Sequence, residues 1–261
     1  MEEHGSTQVS VFLLLLLPVA AVSVPVDHTS LAQDCEDVYT NGSRHSGVYT
    51  ICPAGSNNPI QVYCDMDCED DDNRGGWTVF QKRMDGTVNF YRPWEHYKNG
   101  FGNIAGEHWL GLQNIFAISW TKKYRLRVDM EDFEGGSVHA EYTTFSIEPE
   151  SDGYRLRLGN YIDGGAGDSL LFSNGMRFST FDKEQHDFYS NNYAERYHGG
   201  FWFGYSDYVN PNGLYKWGHH TFYGTGVMWN SWKWYTYSLK AISMKIRPVS
   251  LERINNASPW P

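Results

Sequence analysis

Two pairs of carboxylates stand close enough in the chain to suggest acid–base chemistry: Asp129 with Asp132, and Asp182 with Glu184. A positioned acid and base of this kind can cleave glycosidic bonds, so a secreted hydrolase is the enzyme reading they permit. Nothing else in the chain supports it, because the G-x-S-x-G, H-E-x-x-H and G-x-x-x-x-G-K-[ST] patterns are all absent. The acidic run Asp67-Cys-Glu-Asp-Asp-Asp72 has carboxylates at alternate positions, as calcium loops do, but lacks the glycine needed for the sharp turn and reads as a solvated loop. His219 and His220 are adjacent. On a strand adjacent side chains face opposite ways, so the two do not share a metal ion, and His219 reads as a surface residue. Trp229, Trp232 and Trp234 could stack on a sugar, yet such rings are more often packing, with at most one reaching a ligand.

With catalysis unsupported, composition narrows the binding partners. The 261 residues carry 21 Lys plus Arg against 31 Asp plus Glu, a formal charge of -10, which repels phosphate backbones and argues against nucleic acid. Aromatics make up 16 % of the chain, enough for a sizeable core, and the 26 glycines show neither a Gly-X-Y period nor company with heptads. A collagen stalk and a coiled-coil rod are therefore excluded.

Residues 1–23 read as a signal peptide: Val9 to Val24 is an apolar run broken by Pro18, with Ala21 and Ser23 suited to cleavage. Glu2 and Glu3 stand where basic residues are usual, so an uncleaved anchor is the alternative. No later stretch is long enough to span a bilayer, and the expectation is a secreted protein with no membrane span after cleavage. Cys35, Cys52, Cys64 and Cys68 are spaced by 17, 12 and 4 residues, without a C-x2-C knuckle, and nearby His45 does not repair that. An even count in a secreted chain favours disulfides over zinc. Asn41-Gly-Ser43 is a glycosylation sequon between turn residues, whereas Asn256-Ala-Ser258 is followed by Pro259 and is weaker.

The elements that must position these groups are mostly strands. Trp77 to Arg83, Tyr124 to Met130, Val138 to Tyr142, Tyr154 to Leu158 and Tyr237 to Arg247 all read as strand, several with one wet face. Gly106 to Ile115 predicts a short helix with Trp109 and Leu112 on one face, and Pro93 to Tyr97 another. The fold class is α+β with an antiparallel sheet. Beyond Phe181 the pattern loosens into loops rich in Gly, Asn, Tyr and Trp, where a binding site is expected.

Several separated words resemble the fibrinogen C-terminal domain family: Gly75-Gly-Trp-Thr-Val-Phe-Gln-Lys-Arg83, Asp85-Gly-Thr-Val-Asn-Phe-Tyr-Arg92, Glu107-His-Trp-Leu-Gly-Leu-Gln-Asn114, Asp163-Gly-Gly-Ala-Gly-Asp-Ser169 and Met244-Lys-Ile-Arg-Pro248. The match runs from Cys35 to Pro248, after a short lead (24–34) and before a tail (249–261). The resemblance implies a disulfide-rich N-terminal section (35–74), a central, mainly antiparallel sheet with short helices (75–180) and a loop-rich calcium and ligand section (181–248). It also implies a non-enzymatic recognition module that uses Ca2+ and binds acetylated glycans, extracellular-matrix proteins such as fibrillin, elastin and collagen, or both. The first family disulfide corresponds to Cys35–Cys64, leaving Cys52 and Cys68 for a second local bridge or for a link between chains. Homo-oligomers would need that link or the domain surface. No Arg-Gly-Asp tripeptide is present, so an integrin contact through it is not expected.

By the same resemblance, Asp182 to Phe188 occupies the family's calcium loop, with Asp182 and Glu184 as side-chain ligands and His186 and Phe188 as carbonyl donors. Glu184 stands where Asp is usual, and the stretch before Asn192 is one residue longer than in relatives. A polar turn without an ion is the alternative. In the ligand pocket, Tyr193 and Ser206 replace the family's paired cysteines and Asp207 replaces its histidine, which bears on the cis peptide expected between Tyr205 and Ser206. Tyr197, Tyr223 and Tyr235 match the pocket aromatics and His220 a nearby histidine; packing is the competing role for the tyrosines.

Overall fold

The computed structural model describes residues 31–53, 58–67, 75–185, 192–204 and 208–249, together with Met1. Its N-terminal part contains α1 (Cys35–Thr40), β1 (Gly47–Ile51), β2 (Ile60–Asp65) and β3 (Trp77–Arg83). There follow α2 (Trp94–Asn99), β4 (Phe101–Gly102), β5 (His108–Trp109), α3 (Leu112–Ser119), β6 (Tyr124–Glu131), β7 (Ser137–Ile147), β8 (Leu156–Leu158) and β9 (Tyr161–Gly164). The remainder holds α4 (Tyr193–Tyr197), β10 (Val209–Asn210), β11 (Gly218–His219), β12 (Met228–Trp229), β13 (Tyr237–Ser238) and β14 (Ala241–Pro248). The described strands pair in antiparallel ladders, the main sheet running β1-β2-β3-β14-β6-β7-β8, which makes the fold α+β.

The last strand is the sheet's spine. Ile242, Met244 and Ile246 of β14 lie between β3 and β6, paired with Arg83, Gln81 and Thr78 on one side and with Met130, Val128 and Leu126 on the other. Residues from the C-terminal end thus complete the central sheet, while β1 and β2 extend it beyond β3. The Cys35–Cys64 disulfide fastens α1 to β2. Cys52 is a buried free thiol whose backbone N–H donates to the Ala32 carbonyl, and the expected Cys52–Cys68 bridge falls on a residue outside the described ones. Cys52 packs as a small hydrophobe; Cys68 lies outside the described residues.

Two local expectations are corrected. The helix read over residues 106–115 is instead β5 followed by α3, because Gly111 adopts φ 100° and turns the chain before the helix begins. The wet face of β6 is not wet: Arg125 and Arg127 are 6 % and 9 % exposed. Arg127 pairs with Asp129 and Glu141, Lys245 with Asp65 and Asp129, and Arg125 and Arg247 lie 4.7 and 4.9 Å over the buried Trp77 ring. Cross-strand neighbours have converted the charged face into a ladder of ion pairs.

Aromatic residues join this sheet to the loops. Trp109 meets Phe80, Tyr97, Phe178 and Trp202 with ring centroids between 5.5 and 6.0 Å. Their polar ends are satisfied: Trp109 Nε1 donates to the Tyr97 carbonyl, Trp202 Nε1 to that of Tyr154, and the Tyr97 hydroxyl donates to the Phe90 carbonyl while accepting from the Gly200 N–H. Burying both parts of such rings fixes one packing geometry.

Candidate functional site

The turn at Thr180 closes on itself, with the Thr180 and Lys183 backbones exchanging hydrogen bonds at 3.0 and 3.1 Å. Asp182 projects from it and accepts at Oδ1 from the Trp94 N–H at 2.9 Å and the Thr180 hydroxyl at 2.7 Å, so its first visible role is to hold the start of α2. Lys183 places its ammonium 3.7 Å over the Trp94 ring. Asp182 and Glu184 are both exposed, and Asn192 ties the far end of the segment back by donating to the Phe181 carbonyl at 2.8 Å. Two carboxylates two residues apart form a hard-oxygen donor set that fits calcium in kind. His186 and Phe188 lie outside the described residues, among which no group of three or more His, Cys, Asp or Glu clusters as a metal site.

The pocket tyrosines separate into two groups. Tyr197, on α4, is 2 % exposed and stacks on Tyr193 at 5.9 Å with planes 8° apart, which makes it packing. Tyr223 is 47 % exposed and stacks on Tyr235 at 4.3 Å, forming a double ring at the surface. His220, three residues before Tyr223, has both ring nitrogens buried. Burial first, then Lys216 and His219, push its pKa down against a hydrogen bond with the Phe222 backbone, which favours the neutral ring. Tyr205, Ser206 and Asp207 lie outside the described residues, and the peptide between Tyr205 and Ser206 with them. Trp229 is fully buried, Trp232 packs against the core, and Trp234 alone of those three presents an open ring, 75 % exposed.

Four residues that sequence reading passed over hold these loops in place. Gln81 on β3 donates to the Pro211 carbonyl and to Asn212 Oδ1, while Arg83 Nη1 donates to the Pro211 and Gly213 carbonyls. Asn212 donates in turn to the Gly200 carbonyl, and Asn210 donates to the carbonyls of Tyr197 and Gly224. The N-P-N-G run from Asn210 to Gly213 is a turn signal that could have drawn attention to them.

Asp129 and Asp132 are each engaged by partners of their own. Burial opposes ionisation of Asp129, but Lys245 and Arg127 outweigh it and hold its carboxyl below the usual range. Asp132 is bound to Lys233 and to the N–H groups of Glu134 and Gly136, so both acids are structural. Asn41 caps the C-terminal end of α1 on an exposed turn, where its sequon is accessible.

Residues 31–249 match the family described as "Fibrinogen beta and gamma chains, C-terminal globular domain". The chain is 48 % identical over 219 residues to microfibril-associated glycoprotein 4 of Homo sapiens, covering 82 % of this chain and 84 % of that one. It is 47 % identical over 224 residues to Fibrinogen C domain-containing protein 1 of Homo sapiens, covering 84 % of this chain and 47 % of that protein. Among solved structures, the fibrinogen-like globe domain of human ANGPTL2 superposes with a TM-score of 0.79 at 45 % identity, covering 83 % of this chain and 99 % of that one. Lamprey fibrin D-dimer, complexed with the peptide Gly-His-Arg-Pro-amide, gives a TM-score of 0.76 at 32 % identity, covering 88 % and 77 %. A sheet completed by its own C-terminal strand, a bridge at its N-terminal end and a match across nearly the whole described chain lead to one conclusion: the protein belongs to the fibrinogen C-terminal domain family.

Proposed function

We propose that the protein is a secreted recognition glycoprotein of the extracellular matrix that binds matrix proteins or acetylated glycans through its C-terminal loops and catalyses no reaction. The observation that carries this reading is the aromatic surface of those loops. Trp217, Phe222, Tyr223 and Trp234 are 65, 63, 47 and 75 % exposed within an eighteen-residue stretch. Large exposed rings contribute little to a core, and four of them in one short stretch of loop suit a place of contact. The similarity to microfibril-associated glycoprotein 4 supports the matrix setting. No helix of the described residues is long and apolar enough to cross a membrane.

In this reading Asp182 and Glu184 hold a calcium ion that, when bound, would fix the 180–185 turn and its neighbour α4 relative to α2. The Tyr223–Tyr235 stack meets the ligand. An acetylated sugar suits that stack, its methyl group lying against a ring while backbone N–H groups take the carbonyl. The test is solid-phase binding to fibrillin, elastin, collagen and an N-acetylglucosamine-bearing glycan, with and without chelation. Saturable binding weakened by Tyr223→Ala supports the proposal; release of sugar or peptide product would overturn its non-enzymatic part.

A further inference from the structure

A cavity of about 420 Å³ opens between residues 83–90, after β3, and the 213–216 turn that leads into β11. Arg83 and Phe90 form its floor, the guanidinium 4.0 Å over the ring, and Arg83 is ion-paired with Glu107 at 3.5 Å. Glu107 also accepts the backbone N–H groups of Met84, Asp85, Gly86 and Val88, which makes this side of the cleft rigid. Tyr215 forms the opposite wall, its hydroxyl donating to the Lys240 carbonyl at 2.6 Å and that of Met84 at 3.2 Å. Its ring lies against Gly86, which has φ 76° and where a Cβ would meet it at 2.8 Å.

Trp217 extends this wall into solvent. Its ring meets Tyr215 edge-on at 5.1 Å, and Phe133 meets Tyr215 from another side at 6.5 Å. Trp217 has φ 49° and is 65 % exposed, so a bulky residue occupies the left-handed region while leaving its indole in water. Neither feature stabilises the fold. Backbone strain spent on presenting an open ring, beside a preformed cleft, points to a contact outside the chain.

The lining says what kind of ligand fits. Arg83 is neutralised by Glu107, Asp85 is occupied by the hydroxyl and N–H of Thr87, and Lys216 rests its ammonium 4.4 Å over the Phe222 ring. The charge of Arg83 is thus matched within the cleft, while Lys216 keeps its charge at the Phe222 ring. Its lining includes Thr87, whose hydroxyl donates to Asp85 and can still accept, and Asn89, whose Oδ1 accepts the Tyr91 N–H and whose amide nitrogen can still donate, while Trp217 adjoins the lining through Tyr215. A pyranose ring has this combination in reverse, with an apolar C–H face for the negative π surface and hydroxyls around its edge.

We propose that the cleft between Thr87, Asn89 and Tyr215, with Trp217 as stacking platform, is a second carbohydrate subsite that takes one unit of a neutral oligosaccharide. It rests on the glycan side of the recognition reading and extends it to longer chains. Trp217 and Phe222 are five residues apart, and Lys216, which lines the cleft, places its ammonium 4.4 Å over the Phe222 ring, so the two aromatic groups are neighbours. An oligosaccharide that places one unit in the cleft can extend further units toward the Tyr223–Tyr235 stack.

The experiment titrates the mature protein with N-acetylglucosamine and its β1-4-linked tetramer, by calorimetry and tryptophan fluorescence, in calcium and after chelation. The tetramer is expected to bind about tenfold or more tightly than the monomer. That advantage and the fluorescence change should vanish in Trp217→Ala and Trp217→Gly, the latter relieving the backbone, and largely persist in Trp217→Phe. An advantage that survives Trp217→Ala, or a tetramer that causes no fluorescence change, overturns the subsite. So does a preference for a sulfated tetramer that is abolished by Lys216→Ala. Trp217-dependent tetramer binding that ignores both chelation and Tyr223→Ala would support the cleft while refuting the calcium-linked pocket.

Discussion

Tyr197 and Tyr223 put the same side chain into opposite environments, 2 % and 47 % exposed. Removing the exposed ring should cost contact with ligand and little packing. For Tyr223→Ala we expect affinity to fall about tenfold while the thermal midpoint moves by no more than about 2 °C. Tyr197→Ala leaves a cavity beside Tyr193 and should destabilise by about 3 to 5 kcal/mol in urea unfolding. The reverse pattern would show that Tyr197 lines the site and Tyr223 supports the fold. Sequence reading grouped these tyrosines because the chemistry of the residue is the same; only the packing around α4 separates them.

At the scale of elements, the C-terminal loops have little ladder of their own, since β10 with β12 and β11 with β13 pair over two residues each. Side-chain pins from β3 replace it. Asn212→Ala removes bonds to Gln81 and Gly200 and should cost about 1 to 3 kcal/mol. Amide exchange should quicken across residues 208–226 and stay slow in β6 and β7; uniform quickening would contradict a local role. At the other end, Cys35 and Cys64 are separated by 29 residues, and loop entropy gives that closure about 3 to 4 kcal/mol. Cys64→Ser should lose about that much in urea unfolding, and reductant should not destabilise the variant further. The long strands were legible because alternation is local. Beyond them, β5 and α3 read as one helix because a strand, a glycine turn and a helix placed apolar residues at helical intervals. The pins were not legible at all: Gln81 and Arg83 find partners about 130 residues away, and only the closed sheet brings them together.

The whole molecule should respond to acid in two stages. His108 is buried, which pushes its pKa below 6.5, so the folded state binds fewer protons than the unfolded one. Its contribution is complete above pH 6.5 and is lost as pH falls through the folded value. Asp129, held below 3.8 by Lys245 and Arg127 despite its burial, contributes fully above that pH and less below it. Urea midpoints from pH 8 to 2.5 should therefore decline first below about 6.5 and again below about 4. His108→Gln should shrink the first stage, which His139 and His220, also pushed below 6.5 by burial, share; a first stage of unchanged size would show that His108 takes no part in it. The central claim is that the loops around Tyr223 recognise a ligand without turning it over. It is tested most directly by titrating the calcium-loaded protein with an N-acetylglucosamine-bearing glycan and with soluble elastin, in wild type and Tyr223→Ala. We predict saturable binding of at least one, weakened by the substitution and by chelation, with the ligand recovered intact. Binding that neither change affects, or a ligand recovered cleaved, would contradict it.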